Sequence, residues 1–478
     1  MSDLSRKTVK GAFWSGLDII SRQIISFVIN IILARLLFPE DYGILGIVLV
    51  FTNIMDVIID GGFSVALIRK KERTEEDLST AFFFNVILGI IGYICLFVAA
   101  PYIALFFDTP SITIILRVVG LGVFFNSLSI VQNAILTAEL RLDVYTKISV
   151  GTQILCGILC IGMAYKGYGV WALVAQTTAT YFLKMLLLWL LAKWRPKFLF
   201  DKASFSYLWG FGSKLLASSL IGTIFYKAYT FVIGKFVGKY ELGLFTRAET
   251  LGQQAPSIFS SILQKVVVPS LSVYQDDKEK LVLNYKKYIS VVAFLLSPIV
   301  VFCIAEAKPI FLILFGSRWE QCVPMFQILC IGFIWYPFAN MGLYLLQIVG
   351  KSGEILKLEF YKKPIGALII AAGIPFGIWG IIISKVVVDT YCFCVNLSPL
   401  KKELNYGIVS QIIGIVKYII PAIPYLITSV LVDLVIKNSF VHVALVGVIG
   451  SLLYFLFAFL FKYEALVFLK DLKRDIKF

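Results

Sequence analysis

Apolar residues run along this chain in blocks of about twenty, separated by short segments rich in lysine, arginine, glycine and proline. A block of roughly 20 apolar residues is what an α-helix needs to cross the hydrocarbon core of a bilayer. The blocks predict about fourteen membrane-spanning helices, near 11–37, 42–66, 78–100, 111–136, 147–165, 169–192, 207–236, 242–271, 284–306, 321–349, 356–374, 376–397, 409–434 and 440–461. Three of them, 207–236, 242–271 and 321–349, are long and interrupted by glycine, proline or charge. No segment shows the polar–apolar alternation of a transmembrane strand. The expected fold is an all-α polytopic membrane protein.

Composition agrees: 59% of residues are hydrophobic, 15% are charged, and mean hydropathy is +0.89. The net charge of +15 is unevenly placed. With the N-terminus in the cytoplasm, 28 of the 44 Lys and Arg fall in inside segments, 7 in outside segments and 9 within spans. That four-to-one bias follows the positive-inside rule, alternates at every loop, and puts both termini in the cytoplasm. The basic balance then reflects loops facing anionic lipid and calls for no nucleic acid. The first apolar block carries Asp18 and Arg22 and lacks an A-x-A-like site, so no cleavable signal peptide is expected. The connecting loops leave no room for a soluble domain. The eight cysteines form no Cys-x-x-Cys and the lone histidine is His442, so neither a metal, a cofactor nor a disulfide is expected; the cysteines read as core residues.

The pattern also repeats. ARLLFPEDYGIL (Ala34–Leu45) recurs as GKFVGKYELGLF (Gly234–Phe245), and YGVWALV (Tyr168–Val174) as FGIWGII (Phe376–Ile382); LRVVGLGVFF (Leu116–Phe125) aligns more weakly with FQILCIGFIW (Phe326–Trp335). The offsets are 200, 208 and 210, and the three matches are colinear along the chain. Six spans per copy make the repeats parallel, related by a pseudo-two-fold axis along the membrane normal, with a substrate cavity between them. The expected organisation is an N-lobe over 1–200 (helices 1–6), a C-lobe over 201–398 (helices 7–12), two further helices over 399–462, and a basic amphipathic tail over 463–478 lying on the inner leaflet. The repeated Gly43 and Gly243 read as helix-packing positions, and Trp171 and Trp379 as interface anchors.

Within the spans lie Arg22, Arg117, Lys184, Lys214, Lys227, Arg247, Lys265, Lys385 and Lys417, and the acids Asp18, Asp56, Asp60, Glu249 and Asp389, with Glu306 and Asp433 near helix ends. A charge at the bilayer centre costs about 2.5–3.5 kcal/mol on insertion scales, so most of these must face water or each other. Spacing supports this. Gly11, Ser15, Asp18, Arg22, Ser26 and Asn30 share one face of the first helix; Gly46, Asn53, Asp56 and Asp60 share one of the second; Thr223, Lys227, Thr230 and Gly234 share one of the seventh, with Lys214 and Ser218 on another. Asp18 pairs with Arg22, and Lys385 with Asp389, at i,i+4. Cations remain in surplus, which suits an anionic, phosphate-bearing cargo. The candidate substrate-binding residues are Arg22, Lys214, Lys227 and Arg247, joined by Arg117 and Lys385. Asp18, Asp56, Asp60, Glu249 and Asp389 are the cavity carboxylates; Asp56 and Asp60 also have the chemistry to carry a coupling proton or sodium ion. Lys184 and Lys265 lie toward cytoplasmic helix ends, where snorkelling explains them, and it explains Arg117 outward equally well. Lys417 is peripheral.

Two motifs carry a resemblance. ARLLxPxDYGxLG is met over Ala34–Gly46, and GxxxALIxxxxxTxxDLxT over Gly62–Thr80, within GAFWSGLDIISRQIISFVINIILARLLFPEDYGILG and DGGFSVALIRKKERTEEDLSTAFFFN. In these and in its overall layout the chain resembles the Wzx-type polysaccharide-transport flippases of the multidrug/oligosaccharidyl-lipid/polysaccharide exporter superfamily, in the lipopolysaccharide or colanic-acid branch. The resemblance implies two six-helix lobes that rock around a central cavity. It also implies transfer of an oligosaccharide repeat unit, linked through diphosphate to undecaprenol, from the cytoplasmic to the periplasmic leaflet. The implied partners are the lipid-linked oligosaccharide, membrane lipid and other polysaccharide assembly proteins, with the protein working as a monomer. It fixes no individual cavity residue.

Two alternatives share the fold: a multidrug/cation antiporter, which would want surplus carboxylates, and a lipid II flippase, which differs only in cargo. An enzyme would need a sizeable outer loop. The segments 101–111 and 307–320 and their flanks offer only Asp108, Glu306, Lys308, Arg318 and Glu320.

Overall fold

A computed structural model describes residues 21–70, 72–466 and 468. Asp18 and most of the basic tail therefore lie outside the described residues. Those described form helices joined by short turns, with no strand among them. They divide into two compact units, 1–243 and 244–478.

The first unit holds α1 (21–36), α2 (Pro39–Asp60), α3 (Phe63–Arg69), α4 (Glu75–Phe106), α5 (Ile112–Ser127), α6 (Ile130–Ala138), α7 (Leu142–Tyr165), α8 (Val170–Leu191) and α9 (Lys202–Phe236), and the start of α10 (Lys239–Gly252). The two motifs explain its construction. Pro39 opens α2, a position where its missing N–H costs nothing, and the Asp41 carboxylate accepts the Phe38 N–H at 2.9 Å. One turn on, Gly43 meets the start of α10: a Cβ there would sit 1.7 Å from the Lys239 carbonyl oxygen. Gly243 meets Pro39 in the same way, at 1.8 Å. At the offset of 200, residue 39 corresponds to 239 and 43 to 243, so each glycine sits on the counterpart of the other's contact.

The second motif closes α2. Asp60 is its last residue, and Gly61 and Gly62 follow with φ of 56° and 74°, a left-handed pair that breaks the helix. Gly62 also lies against the backbone of Gly212 on α9, where a Cβ would come 2.5 Å from the carbonyl oxygen. Thr74 then caps α4 and forms a capping box with Asp77. Asp77 is fully buried and takes the Lys70 ammonium on both oxygens, at 2.7 and 2.6 Å. Ser79 and Thr80 accept the N–H groups of Lys197 and Asp201 at 3.1 and 2.9 Å, tying down the basic linker before α9. The motif thus builds a corner between α2, α4 and the linker before α9. We expect Asp77→Asn to destabilise the folded protein by about 1–3 kcal/mol, since it removes a charged acceptor from a buried network. Thermal unfolding of detergent-purified protein reads this, and an unchanged midpoint would sink the assignment.

The second unit holds α11 (Gln254–Ile262), a π-helical turn (Leu263–Val267), α12 (Val268–Ser272), α13 (Lys278–Ala305), α14 (Ala307–Leu314), α15 (Cys322–Phe333), α16 (Tyr336–Ile348), α17 (Ser352–Gly373), α18 (Gly377–Leu404), α19 (Ile408–Ile419), α20 (Pro424–Asp433) and α21 (Ser439–Leu460). Gly373 and Gly380 face each other at backbone contact, and Lys362 donates to Asn396 Oδ1 at 2.8 Å, so α17 and α18 form an antiparallel hairpin. Tyr454 of α21 donates its hydroxyl to the Phe294 carbonyl of α13 at 2.8 Å.

Among the described residues, ten helical stretches are long and apolar enough to cross a membrane, eleven if the pair α5–α6, bent by 43°, counts as one. The first of the fourteen spans expected from sequence lies partly outside the described residues, and two more differ for physical reasons. The stretch 353–404 passes as one apolar element although it is a hairpin. The block 242–271 is broken into α10, α11, the π turn and α12, too short singly to span. Outward faces are strongly apolar: Ile87, Ile91, Ile94 and Val98 of α4 and Leu452, Phe455 and Phe459 of α21 are all exposed. Such stripes suit hydrocarbon and mark a multi-pass membrane protein. Four cysteines are buried, but Cys95 is exposed on α4, so the core reading of the cysteines does not hold for it.

Candidate substrate site

In the first unit, α2 carries the span carboxylates Asp56 and Asp60. Asp56 is a carboxylate shared by three helices: Asn126 of α5 donates to Oδ1 at 2.9 Å and Tyr181 of α8 to Oδ2 at 2.8 Å. Both donors are neutral. Lys184, one turn from Tyr181, is within electrostatic reach and lies 5.4 Å from the Tyr145 ring on α7. It points into this cluster, where the sequence suggests only snorkelling. Asp60 is satisfied locally: Ser64 donates its hydroxyl at 2.6 Å and its N–H at 3.4 Å to Oδ1. Neither carboxylate forms an ion pair among the described residues.

The stripe expected on α2 is split by packing. Gly46 lies under α9 and α10, with Thr230 and Leu242 its nearest neighbours, whereas Asp56 turns toward α5 and α8. On α9, Gly234 packs on Ile47 of α2 and Thr230 lies against Gly46. Lys214 is exposed on α9, and Lys227, half-buried, lies 5.4 Å from the Tyr226 ring. At the far end of α9, Lys235 donates to the Phe106 carbonyl at 2.6 Å and pairs with Asp108 at 3.2 Å, pinning α9 to α4. On α1 the Arg22 carbonyl accepts from Gln153 Nε2 of α7 at 3.1 Å. Arg117 is held on the α4–α5 seam, its guanidinium 4.1 Å from the Phe97 ring and donating to the Phe97 carbonyl.

The second unit arranges its charges differently. Arg247 is 4% exposed and lies 5.2 Å from each of the Phe315 and Trp319 rings. Its neighbour by two, Glu249, turns away to Lys385 at 3.5 Å, and Lys385 also meets Asp389 at 3.7 Å. One ammonium between two carboxylates is not a surplus cation. Lys417 pairs with Glu464 at 3.4 Å, and Lys265 lies exposed in the π turn.

Two buried clusters escape sequence reasoning. Lys362, 7% exposed, is held by Glu359 and by Asn396, whose amide in turn donates to the Ala339 carbonyl at 3.2 Å. The i,i+3 and i,i+4 spacing of Glu359 with Lys362 and Lys363 is the available signal. His442 Nδ1 meets the fully buried Glu306 carboxylate at 2.8 Å, across a separation of 136 residues that no local pattern encodes. No cluster of His, Cys, Asp or Glu among the described residues has the makings of a metal site.

Similarities to known proteins bear on these helices. Over 99% of both chains, the sequence is 25% identical to an uncharacterised membrane protein in the cps region of Klebsiella pneumoniae. It is 25% identical to the lipopolysaccharide biosynthesis protein WzxC of Escherichia coli K12, over 69% of this chain and 67% of that one. The fold is similar to that of the lipid II flippase MurJ in an inward closed conformation, with a TM-score of 0.78 at 14% identity, over 95% of this chain and 99% of that one. Residues 32–324 match the family described as polysaccharide biosynthesis protein, well over half the sequence. This multi-pass membrane chain belongs to the polysaccharide biosynthesis protein family.

Proposed function

We propose that the protein is a flippase that moves an oligosaccharide repeat unit, joined through diphosphate to undecaprenol, from the cytoplasmic to the periplasmic leaflet by alternating access between two six-helix repeats. It sits in a bacterial inner membrane with both termini cytoplasmic and works as a monomer. One observation carries the cargo's sign. The span carboxylates Asp56 and Asp60 take their hydrogen bonds from neutral donors, and Lys214 stands exposed on α9. A diphosphate is the ligand that an exposed span ammonium suits. Arg22, Lys214 and Lys227 are the residues proposed to meet it. Arg117, Arg247 and Lys385 are committed to rings or carboxylates and contribute less. The relatives named for lipopolysaccharide biosynthesis and lipid II flipping support a lipid-linked saccharide. Deleting the protein is expected to abolish surface polysaccharide and to accumulate the lipid-linked precursor inside the cell. Normal precursor turnover in the deletion strain would overturn the proposal.

Asp56 is the proposed coupling carboxylate, with Asp60 as a second site. A carboxylate shared by three helices and held by neutral donors has room to exchange a proton or sodium ion as those helices shift. Asp56→Asn keeps a hydrogen-bonding side chain in place and is expected to fold normally while slowing transport at least tenfold. Equal transport rates in vesicles would remove Asp56 from the cycle.

A further inference from the structure

The first turns of α13 and the end of α21 enclose a pocket of about 390 Å³ that the transport reading does not use. Its walls are Leu283, Lys286, Lys287 and Ser290 on α13, and Lys462 and Phe468 after α21. Leu283, Lys286/Lys287 and Ser290 recur at helical spacing and so share one face. Lys286, Lys287 and Lys462 are exposed, and none has a carboxylate partner among the described residues. Lys286 lies 4.7 Å from the Tyr406 ring and Lys287 5.5 Å from the Phe468 ring, which holds both ammoniums at the rim. Glu464 also lines the pocket, but Lys417 pairs with it.

Lys462 is the telling residue. α21 ends in a Schellman turn: Tyr463 N–H bonds to the Ala458 carbonyl and Lys462 N–H to that of Phe459. Lys462 occupies its left-handed position with φ of 48°, where glycine would fit at lower cost. Tyr463 is locked beneath it, donating its hydroxyl to the Lys417 carbonyl at 3.0 Å. A strained lysine at this turn places a third ammonium over the pocket. The residues that follow in sequence add Lys470, Lys473, Arg474 and Lys477 against Asp471 and Asp475, the same net sign, so they do not neutralise it.

We propose that this pocket binds an anionic glycerophospholipid of the cytoplasmic leaflet, its phosphate on Lys286, Lys287 and Lys462. Its acyl chains follow Leu283, Phe468 and the exposed face of α21 at Phe457 and Phe461. Three ammoniums at the level where an apolar span begins match an anionic headgroup joined to an acyl chain, and a soluble anion would use only half of this surface. The inference rests on the membrane reading of the chain and on the inside placement of this end, not on the cargo.

The test is native mass spectrometry of protein purified in a neutral detergent, with phosphatidylglycerol, phosphatidylethanolamine or inorganic phosphate added. Wild type is expected to retain phosphatidylglycerol in preference to phosphatidylethanolamine. Each lysine removed, as Lys286→Gln, Lys287→Gln or Lys462→Gly, is expected to lower that retention about fivefold. Lys462→Gly relieves the backbone, so its melting temperature should hold or rise while binding falls; this separates lost affinity from lost fold. Variants that retain the lipid as wild type does would overturn the proposal, as would displacement of the lipid by millimolar inorganic phosphate. No saccharide enters the readout, so failure here and failure of the flippase assignment are distinguishable.

Discussion

Gly43→Ala is expected to leave almost no folded protein. The added Cβ would lie 1.7 Å from the Lys239 carbonyl oxygen and 2.7 Å from the carbonyl carbon, so the obstacle is backbone and has no rotamer to escape into. The starts of α2 and α10 would have to separate, giving up the packing that brings them together. Overpacking typically costs about 1–3 kcal/mol, and a collision this deep belongs at or above the top of that range. Gly243→Ala is expected to do the same through the Pro39 carbonyl at 1.8 Å. Because both glycines serve one contact, the double variant should cost clearly less than the two single costs added. Gly46→Ala is the control. Its nearest neighbour would be the Leu242 side chain at 3.6 Å, an ordinary contact, and alanine is the better helix former. Yield of monodisperse protein and its thermal midpoint measure all four. A Gly43→Ala protein that melts like wild type would show that the close approach does not exist.

Lys227→Glu is expected to stop transport while the protein still folds, and Arg247→Glu to fail earlier, at folding. The sequence presents these two cations as equals on neighbouring helices. Burial separates them. Lys227 is half-buried on α9, so a glutamate there keeps access to solvent and changes the sign that a diphosphate would meet. Arg247 is 4% exposed beneath Phe315 and Trp319. Aromatic faces attract a cation and repel an anion, so the reversed charge is buried against its own sign, at a cost of about 3–5 kcal/mol. Transport of a fluorescent lipid-linked saccharide in vesicles, with size-exclusion profiles, distinguishes the two. Normal flux through Lys227→Glu would take α9 off the cargo path. A well-folded Arg247→Glu protein would mean that the arginine is less enclosed than its two rings indicate.

The sequence motifs were legible as signatures but not as parts. Gly62, Asp77, Ser79 and Thr80 stand out only as a pattern along the chain; in the fold they become a helix break, a cap and two acceptors that fix a linker. The polar stripes illustrate the opposite error. Angular position on a lone helix places Gly46 and Asp56 together, yet packing sends one under α9 and the other toward α5 and α8. Periodicity describes an isolated helix, while the neighbour on each side is set by tertiary contacts made far along the chain.

What the amino-acid sequence determined by itself was the solvent and the architecture it permits. Apolar blocks of about span length force helices, because a backbone in hydrocarbon must satisfy its own hydrogen bonds. Repetition at offsets near 200 pointed to the corresponding glycines, because duplication keeps residues wherever backbones touch. Only the tertiary structure decided which charges pair with one another. Whether Lys385 is a binding cation or the middle of a Glu249–Lys385–Asp389 cluster depends on α10 meeting α18 at distances of 3.5 and 3.7 Å. Coulomb energy falls with separation in space, and that separation is not written in the spacing of residues along the chain.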